Sequence, residues 1–118
     1  MRDKTPTLRS RFKAERGNLA ISTIVLYELL YGAENSQDPT VARAKVNEFA
    51  AAVEVAEFDR AAAAHSGEIR AELRKKGQLI GAYDLLIAGH ARSLGLKLIS
   101  GNLREFSRVD GLRCEDWF

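Results

Sequence analysis

"YDLLIAGHARSLGLKLISGN", Tyr83 to Asn102, decides the fold. An acid, Asp84, opens an apolar helix, and Gly95 is the residue type that stops one. Leu96 to Ser100 ("LKLIS") is then a short apolar run, as expected of a buried parallel strand. The chain returns abruptly to polar residues at Ser100, Gly101 and Asn102. A helix feeding such a strand is one repeat of an alternating α/β chain, and it brackets an apolar unit with an aspartate and a polar strand end.

Upstream, the same alternation recurs. Thr5, Pro6 and Gly17 suit the cap, first turn and stop of a helix. Leu19 to Ser22 predicts a short strand, and Thr23 caps the next helix, "IVLYELLYGAE", to about Glu34. Asp38-Pro39 opens another helix, "TVARAKVNEFAAA". Val53 to Phe58 ("VEVAEF") alternates apolar and polar residues, which suits a strand with one buried face. Asp59 caps a long helix closed by Gly77, with its cations in the last turn where the helix dipole favours them. Downstream, "GLRCEDWF" supplies a last short strand, with Trp117 and Phe118 packing the terminus. The pattern predicts an α/β domain with a mostly parallel central sheet flanked by helices. It spans residues 1–118 as one domain. A helix comes first where such sheets place a buried strand, so the sheet reads as incomplete at the N-terminus.

Bulk composition narrows the class. A chain of 118 residues holds one compact core, and 46% hydrophobic with 29% charged residues is a globular balance. No apolar run reaches the ~18 residues of a membrane span. The N-terminus lacks the apolar core of a secretory signal. One cysteine, Cys114, allows neither an internal disulfide nor a cysteine zinc site. These features predict a cytoplasmic protein with no membrane partner. The formal charge of +2 is a weak pointer to nucleic acid. Its cations nonetheless concentrate in "LRSRFKAER" and "IRAELRKKG", which read either as solvated helix faces or as phosphate contacts.

In an open parallel sheet, ligands bind beyond the carboxyl ends of the strands. Three polar clusters fall there: Ser22-Thr23 with Glu28, then Asp84, then Ser100-Gly101-Asn102 with Glu105. Each has a plain reading. Asp84 suits a helix cap, Glu28 suits an exposed stripe, and Asn102 with Glu105 suits a turn and a solvated helix start. Metal-dependent phosphodiester hydrolysis gives them a joint purpose. Mg²⁺ or Mn²⁺ prefers hard oxygen ligands, usually one or two carboxylates with water and phosphate. His65 and His90 each lack a second histidine at zinc spacing. There is no His-Glu-x-x-His, P-loop, Gly-x-Gly-x-x-Gly or Gly-x-Ser-x-Gly motif.

"ISTIVLYELLYGAENS", "IRAELRKKGQLIGAYDLLIAGHARSLGLKLISGNLREF" and "RCEDW" together resemble the VapC toxins of bacterial type II toxin–antitoxin pairs, which are PIN-domain ribonucleases. The resemblance covers nearly the whole chain. It implies a Mg²⁺- or Mn²⁺-dependent endoribonuclease, a homodimer, inhibition by a VapB antitoxin, and a tRNA substrate, the initiator tRNA in particular. It assigns metal binding to Glu28, in "YELLYG", and Asp84, in "AYDLLIAGH". Asn102 holds the place where many PIN domains carry a further acid, with Glu105 nearby to position water or substrate. Arg70, Arg74, Lys75, Lys76 and Arg104 are the expected phosphate contacts. The family's first strand ends in Leu-Asp-Thr-Asn, and that metal-binding aspartate has no counterpart here; Asp3 stands in the wrong place to replace it. Weaker metal binding and a large loss of activity are therefore expected of this chain unless another chain supplies the strand. The competing reading is an inactive PIN relative that only binds antitoxin or RNA. A receiver-type signalling domain needs an acidic cluster after an early strand and a lysine after a late one, and this chain shows neither.

Overall fold

The computed structural model describes Ser10, Ala14, Glu15 and residues 19–117. The helix expected between Thr5 and Gly17, and Asp3 and Phe118, lie outside the described residues, apart from single helical positions at Ser10 and Ala14. The chain divides into two compact units, residues 1–57 and 58–118.

In the first unit, strand β1 (Ala20–Ser22) leads directly into helix α1 (Thr23–Glu34), followed by α2 (Pro39–Ala52) and β2 (Glu54–Ala56). The two strands pair in parallel, Ile21 opposite Val55. α1 and α2 form the connection between these parallel strands. The cap of α1 is Ser22, whose side chain accepts from Ile24 N, so Thr23 is the first helical residue instead. The backbone explains this correction: Ser22 is still extended (φ −74°, ψ 150°), the conformation a capping residue needs. Asp38 caps α2 as expected, accepting from Val41 N, with Pro39 in the first turn.

The second unit runs α3 (Arg60–Lys75), α4 (Ala82–Leu94), β3 (Leu98–Ile99), a single turn α5 (Leu103–Phe106) and β4 (Cys114–Glu115). Asp59 caps α3 by accepting from Ala62 N. Gly95 closes α4 in the left-handed region (φ 65°), with Gly95 N and Leu96 N returning to Arg92 and Ala91 carbonyls. β3 and β4 pair in parallel, Leu98 opposite Cys114. Each strand is shorter than its apolar run, because only the paired residues meet a neighbour's backbone.

Ala62, Ser66, Ile69 and Leu73 form the buried stripe of α3, at the spacing of one helix face. They meet Leu85, Ala88 and Gly89 of α4 closely. A Cβ on Gly89 would fall 2.7 Å from the Ser66 backbone, so only glycine permits this approach. Ile69, Leu73, Ile80, Leu85, Ala88, Phe106 and Val109 make the core, with Leu98, Leu112 and Cys114 packed against it. Cys114 is thus a packing residue. Trp117 is buried and donates from Nε1 to Glu115 Oε1 at 2.6 Å.

Candidate active site

Asp84 does not cap its helix. Gly81 takes the cap position, and Asp84 is the third residue of α4. Its carboxylate folds back over the helix entry: a Cβ on Gly81 would lie 3.6 Å from Asp84 Oδ2. The side chain is half-buried at the start of the helix. Burial pushes the Asp84 carboxyl above its ordinary range, the charge of Glu105 pushes it further, and a hydrogen bond from Asn102 partly offsets both.

The other arm of the site is built by the turn after β3. Ser100 Oγ accepts from Asn102 N at 3.0 Å, closing a small side-chain turn that sets the direction of Asn102. Asn102 Nδ2 donates to Glu105 Oε2 at 3.1 Å. Asn102 also precedes the first residue of α5, so strand end, turn and helix start place it between two acids. The structure therefore brings Asp84, Asn102 and Glu105 together. Asn102 serves as the amide that separates two carboxylates, and Glu105 is more than a solvated helix start.

Glu28 belongs to the first unit. It is exposed on α1, among Tyr27, Leu29 and Leu30. The expected cations divide into two groups. Arg70, Arg74, Lys75 and Arg104 are exposed. Lys76 instead pairs with Glu72 at 3.7 Å and Asp110 at 3.4 Å. Hydrogen bonding to Glu72 and the Lys76 charge together hold the Asp110 carboxyl below its usual range.

His90 is buried, with its ring edge-on to Phe58 at 5.5 Å. His65 accepts at Nδ1 from Arg92 Nε, 2.9 Å away. Arg92 also donates to Glu68 Oε1 at 2.6 Å and to the Asp110 carbonyl at 2.9 Å. This joint between α3, α4 and the loop before β4 was not legible in the sequence, since its partners stand 18 to 27 positions apart. Arg108 was missed for the same reason. It donates to the carbonyls of Leu79 (3.2 Å) and Gln78 (3.5 Å), bracing the loop that enters α4.

The donor set can be tested against a hard dication. Among the described residues, no group of three or more acids, histidines or cysteines gathers for a metal. Asp84 and Glu105 with the Asn102 amide are nevertheless an all-oxygen-capable set with two carboxylates, the number Mg²⁺ commonly takes from protein. Burial first, and the Glu105 charge second, raise the Asp84 carboxyl, and a bound cation would oppose both. The residues fit the ion.

Parallel strands flanked by helices, with candidate acids at the meeting of a strand end and a helix start, are common to many α/β folds, and the PIN-domain family model, which matches residues 2–112, shows that this one is a PIN domain. Within that fold the chain belongs to the VapC family. It is 47% identical over 117 residues to the tRNA(fMet)-specific endonuclease VapC of Shigella flexneri, covering 99% of this chain and 89% of that protein. Ribonuclease VapC2 of Haemophilus influenzae is 47% identical over 108 residues, 92% of this chain and 82% of its own. The crystal structure of DNA-bound VapBC from Salmonella typhimurium matches with a TM-score of 0.94 at 47% identity, over 98% of this chain and 88% of that one. No helix among the described residues is long and apolar enough to cross a membrane.

Proposed function

We propose that this chain is a toxin-type endoribonuclease, dependent on Mg²⁺ or Mn²⁺, that cuts tRNA and is neutralised by a VapB-type antitoxin. The observation that carries it is the Asp84–Asn102–Glu105 cluster, in a chain close to a relative named for cleaving tRNA(fMet). That name supports initiator tRNA as the substrate. The VapBC complexes among the similar structures support the antitoxin partner. A homodimer is part of the proposal on family resemblance.

Asp84 would hold the ion as the half-buried anchor, with Glu105 and the Asn102 amide beside it, and family resemblance alone assigns Glu28 a share in metal binding. A bound dication supplies charge neutralisation at the phosphate and lowers the pKa of its water. The Asn102 amide holds Glu105 Oε2, which leaves Oε1 to accept a proton from the attacking water. The water oxygen bonds to phosphorus, one P–O ester bond breaks, and the leaving oxygen takes up a proton. Arg70, Arg74, Lys75 and Arg104 would draw the phosphate backbone; Lys76 contributes less, because Glu72 and Asp110 already balance its charge.

The test is incubation of a bacterial tRNA pool with the purified chain and Mg²⁺ or Mn²⁺, beside Asp84→Asn. Discrete but slow cuts, diminished by the absent strand's aspartate, that vanish with chelation and with the substitution are expected. Cuts that persist in Asp84→Asn would overturn the reading. Antitoxin binding without any cut would support the inactive-relative alternative.

A further inference from the structure

Asn102 stands where a third carboxylate would complete a metal-binding group. Among the described residues, no three acids, histidines or cysteines gather for a metal. Asp84 and Glu105 nevertheless meet at Asn102, all three half-buried and all within the second unit. The Asn102 side-chain nitrogen carries two hydrogens. It donates to Glu105 Oε2 at 3.1 Å, and the side chain also hydrogen-bonds Asp84. The reverse orientation of the amide would set its oxygen against carboxylate oxygens, so the donor end must face the acids. The backbone of Asn102 is fixed on both sides. Its N–H donates to Ser100 Oγ at 3.0 Å, and its carbonyl accepts from the N–H of Phe106, a core residue, at 3.2 Å.

We infer that Asn102 sets the metal dependence of this site: its amide holds the two carboxylates together as a cation would, and its neutrality keeps the affinity for a dication low. The inference rests on the metal-binding part of the ribonuclease reading and deepens it. An N–H donor between two acids does part of a cation's work. Its partial positive charge offsets the repulsion of like charges, in a half-buried place that water screens incompletely. The acids therefore stand in register before an ion arrives. A neutral amide contributes less than a carboxylate to holding a hard dication, whose affinity follows the charge of its ligands. Asn102→Asp exchanges one property for the other. It removes the donor, adds a third negative charge, and leaves three acids that need a cation to stay together. Asn102 is thus a positioning residue for the carboxylates and the residue that sets how tightly they take an ion.

The test measures Mn²⁺ affinity by isothermal titration calorimetry, and thermal melts in EDTA and in Mn²⁺, on the full chain. Asn102→Asp should bind Mn²⁺ about tenfold more tightly than wild type. It should also melt lower than wild type in EDTA and gain more from added Mn²⁺; a variant that folds only with Mn²⁺ is the same result in its extreme form. Asn102→Ala should melt lower in EDTA without binding Mn²⁺ more tightly, since it removes the donor and adds no charge. Equal Mn²⁺ affinity in wild type and Asn102→Asp would overturn the inference. So would an Asn102→Asp chain that stays unfolded in Mn²⁺, an Asn102→Ala melt in EDTA like that of wild type, or Mn²⁺ binding that survives Asp84→Asn. The same preparations are assayed for tRNA cleavage. Cleavage by wild type with equal Mn²⁺ affinity in Asn102→Asp removes the role of Asn102 and leaves the ribonuclease; the expected affinities in a chain that never cuts remove the ribonuclease and leave Asn102 its role.

Discussion

The two units use similar apolar content to different ends. Among the described residues, Ala33 is the buried hydrophobic residue of the first unit, against nine in the second, from Ala62 to Trp117. In the first, α1 turns Tyr27 (52% exposed) and Tyr31 (64% exposed) outward, and Thr23, Leu26, Tyr27, Leu30, Tyr31 and Glu34 line a shallow groove. α2 buries no residue at all. In the second, α3 and α4 seal against each other through Ser66 and Gly89, and the core extends to Phe106 and Val109. The difference teaches where each unit's stability resides. The second is held by its own packing, whereas the first keeps apolar surface of the kind that protein partners cover.

The sharpest way to break this comparison is Gly89→Ala. The added methyl meets Ser66 backbone atoms that cannot rotate away, so α3 and α4 must separate, at a cost of about 3 kcal/mol. Chemical denaturation monitored by circular dichroism reads it; a loss under 1 kcal/mol would mean the helices slide freely. Leu73→Ala, at a position 1% exposed, should cost about 3 kcal/mol or slightly less. The matching Leu29→Ala in α1 should cost under about 0.5 kcal/mol in the same experiment, as surface changes do. Equal losses at the two leucines would erase the contrast between the units.

Arg92→Ala should come next, at about 1–2 kcal/mol, since it removes three hydrogen bonds joining α3, α4 and the 108–111 loop. Arg92→Lys should not restore them, because an ammonium cannot span the three acceptors as the planar guanidinium does. Thermal melts of the three proteins decide this.

The smallest effect is a pH dependence. Asp84 binds its proton more tightly folded than unfolded, so the folded state carries more protons in the window above the ordinary carboxylate value of 3.8. Stability contributed by the protonated form is present below that window and is lost as pH rises through the folded value. Asp84→Asn, which cannot ionise, should therefore raise the melting temperature slightly at neutral pH, with no gain in strong acid. A lower melting temperature at neutral pH would show that the carboxylate is stabilising, contrary to the cause assigned here.

Much of the architecture was legible along the chain because its signals are local. Asp38-Pro39, Asp59 and Gly95 each act within one turn of their own position, so the starts of α2 and α3 and the end of α4 stand where the residues predict them. The apolar run "LKLIS" reads as a strand for the same reason, and the candidate acids were recognisable as polar interruptions near strand ends and helix starts. Thr23 was misread as a cap for want of one fact, and the cap alternative weighed for Asp84 fails for the same reason. Capping depends on which residue still has extended backbone, and that was Ser22 in one case and Gly81 in the other.

By itself, then, the amino-acid order determined the alternation of helix and strand, the parallel pairing it entails and the candidate acids. Backbone hydrogen bonding and apolar periodicity operate over a few residues and need no partner from afar. Tertiary structure alone decided that Asn102 lies between Asp84 and Glu105, that Lys76 is balanced by Glu72 and Asp110, and that Arg92 and Arg108 brace the loops around α4. Those outcomes depend on side chains brought together from distant positions by burial of a shared core, and no pattern within a window of sequence encodes which of several equivalent charges will meet.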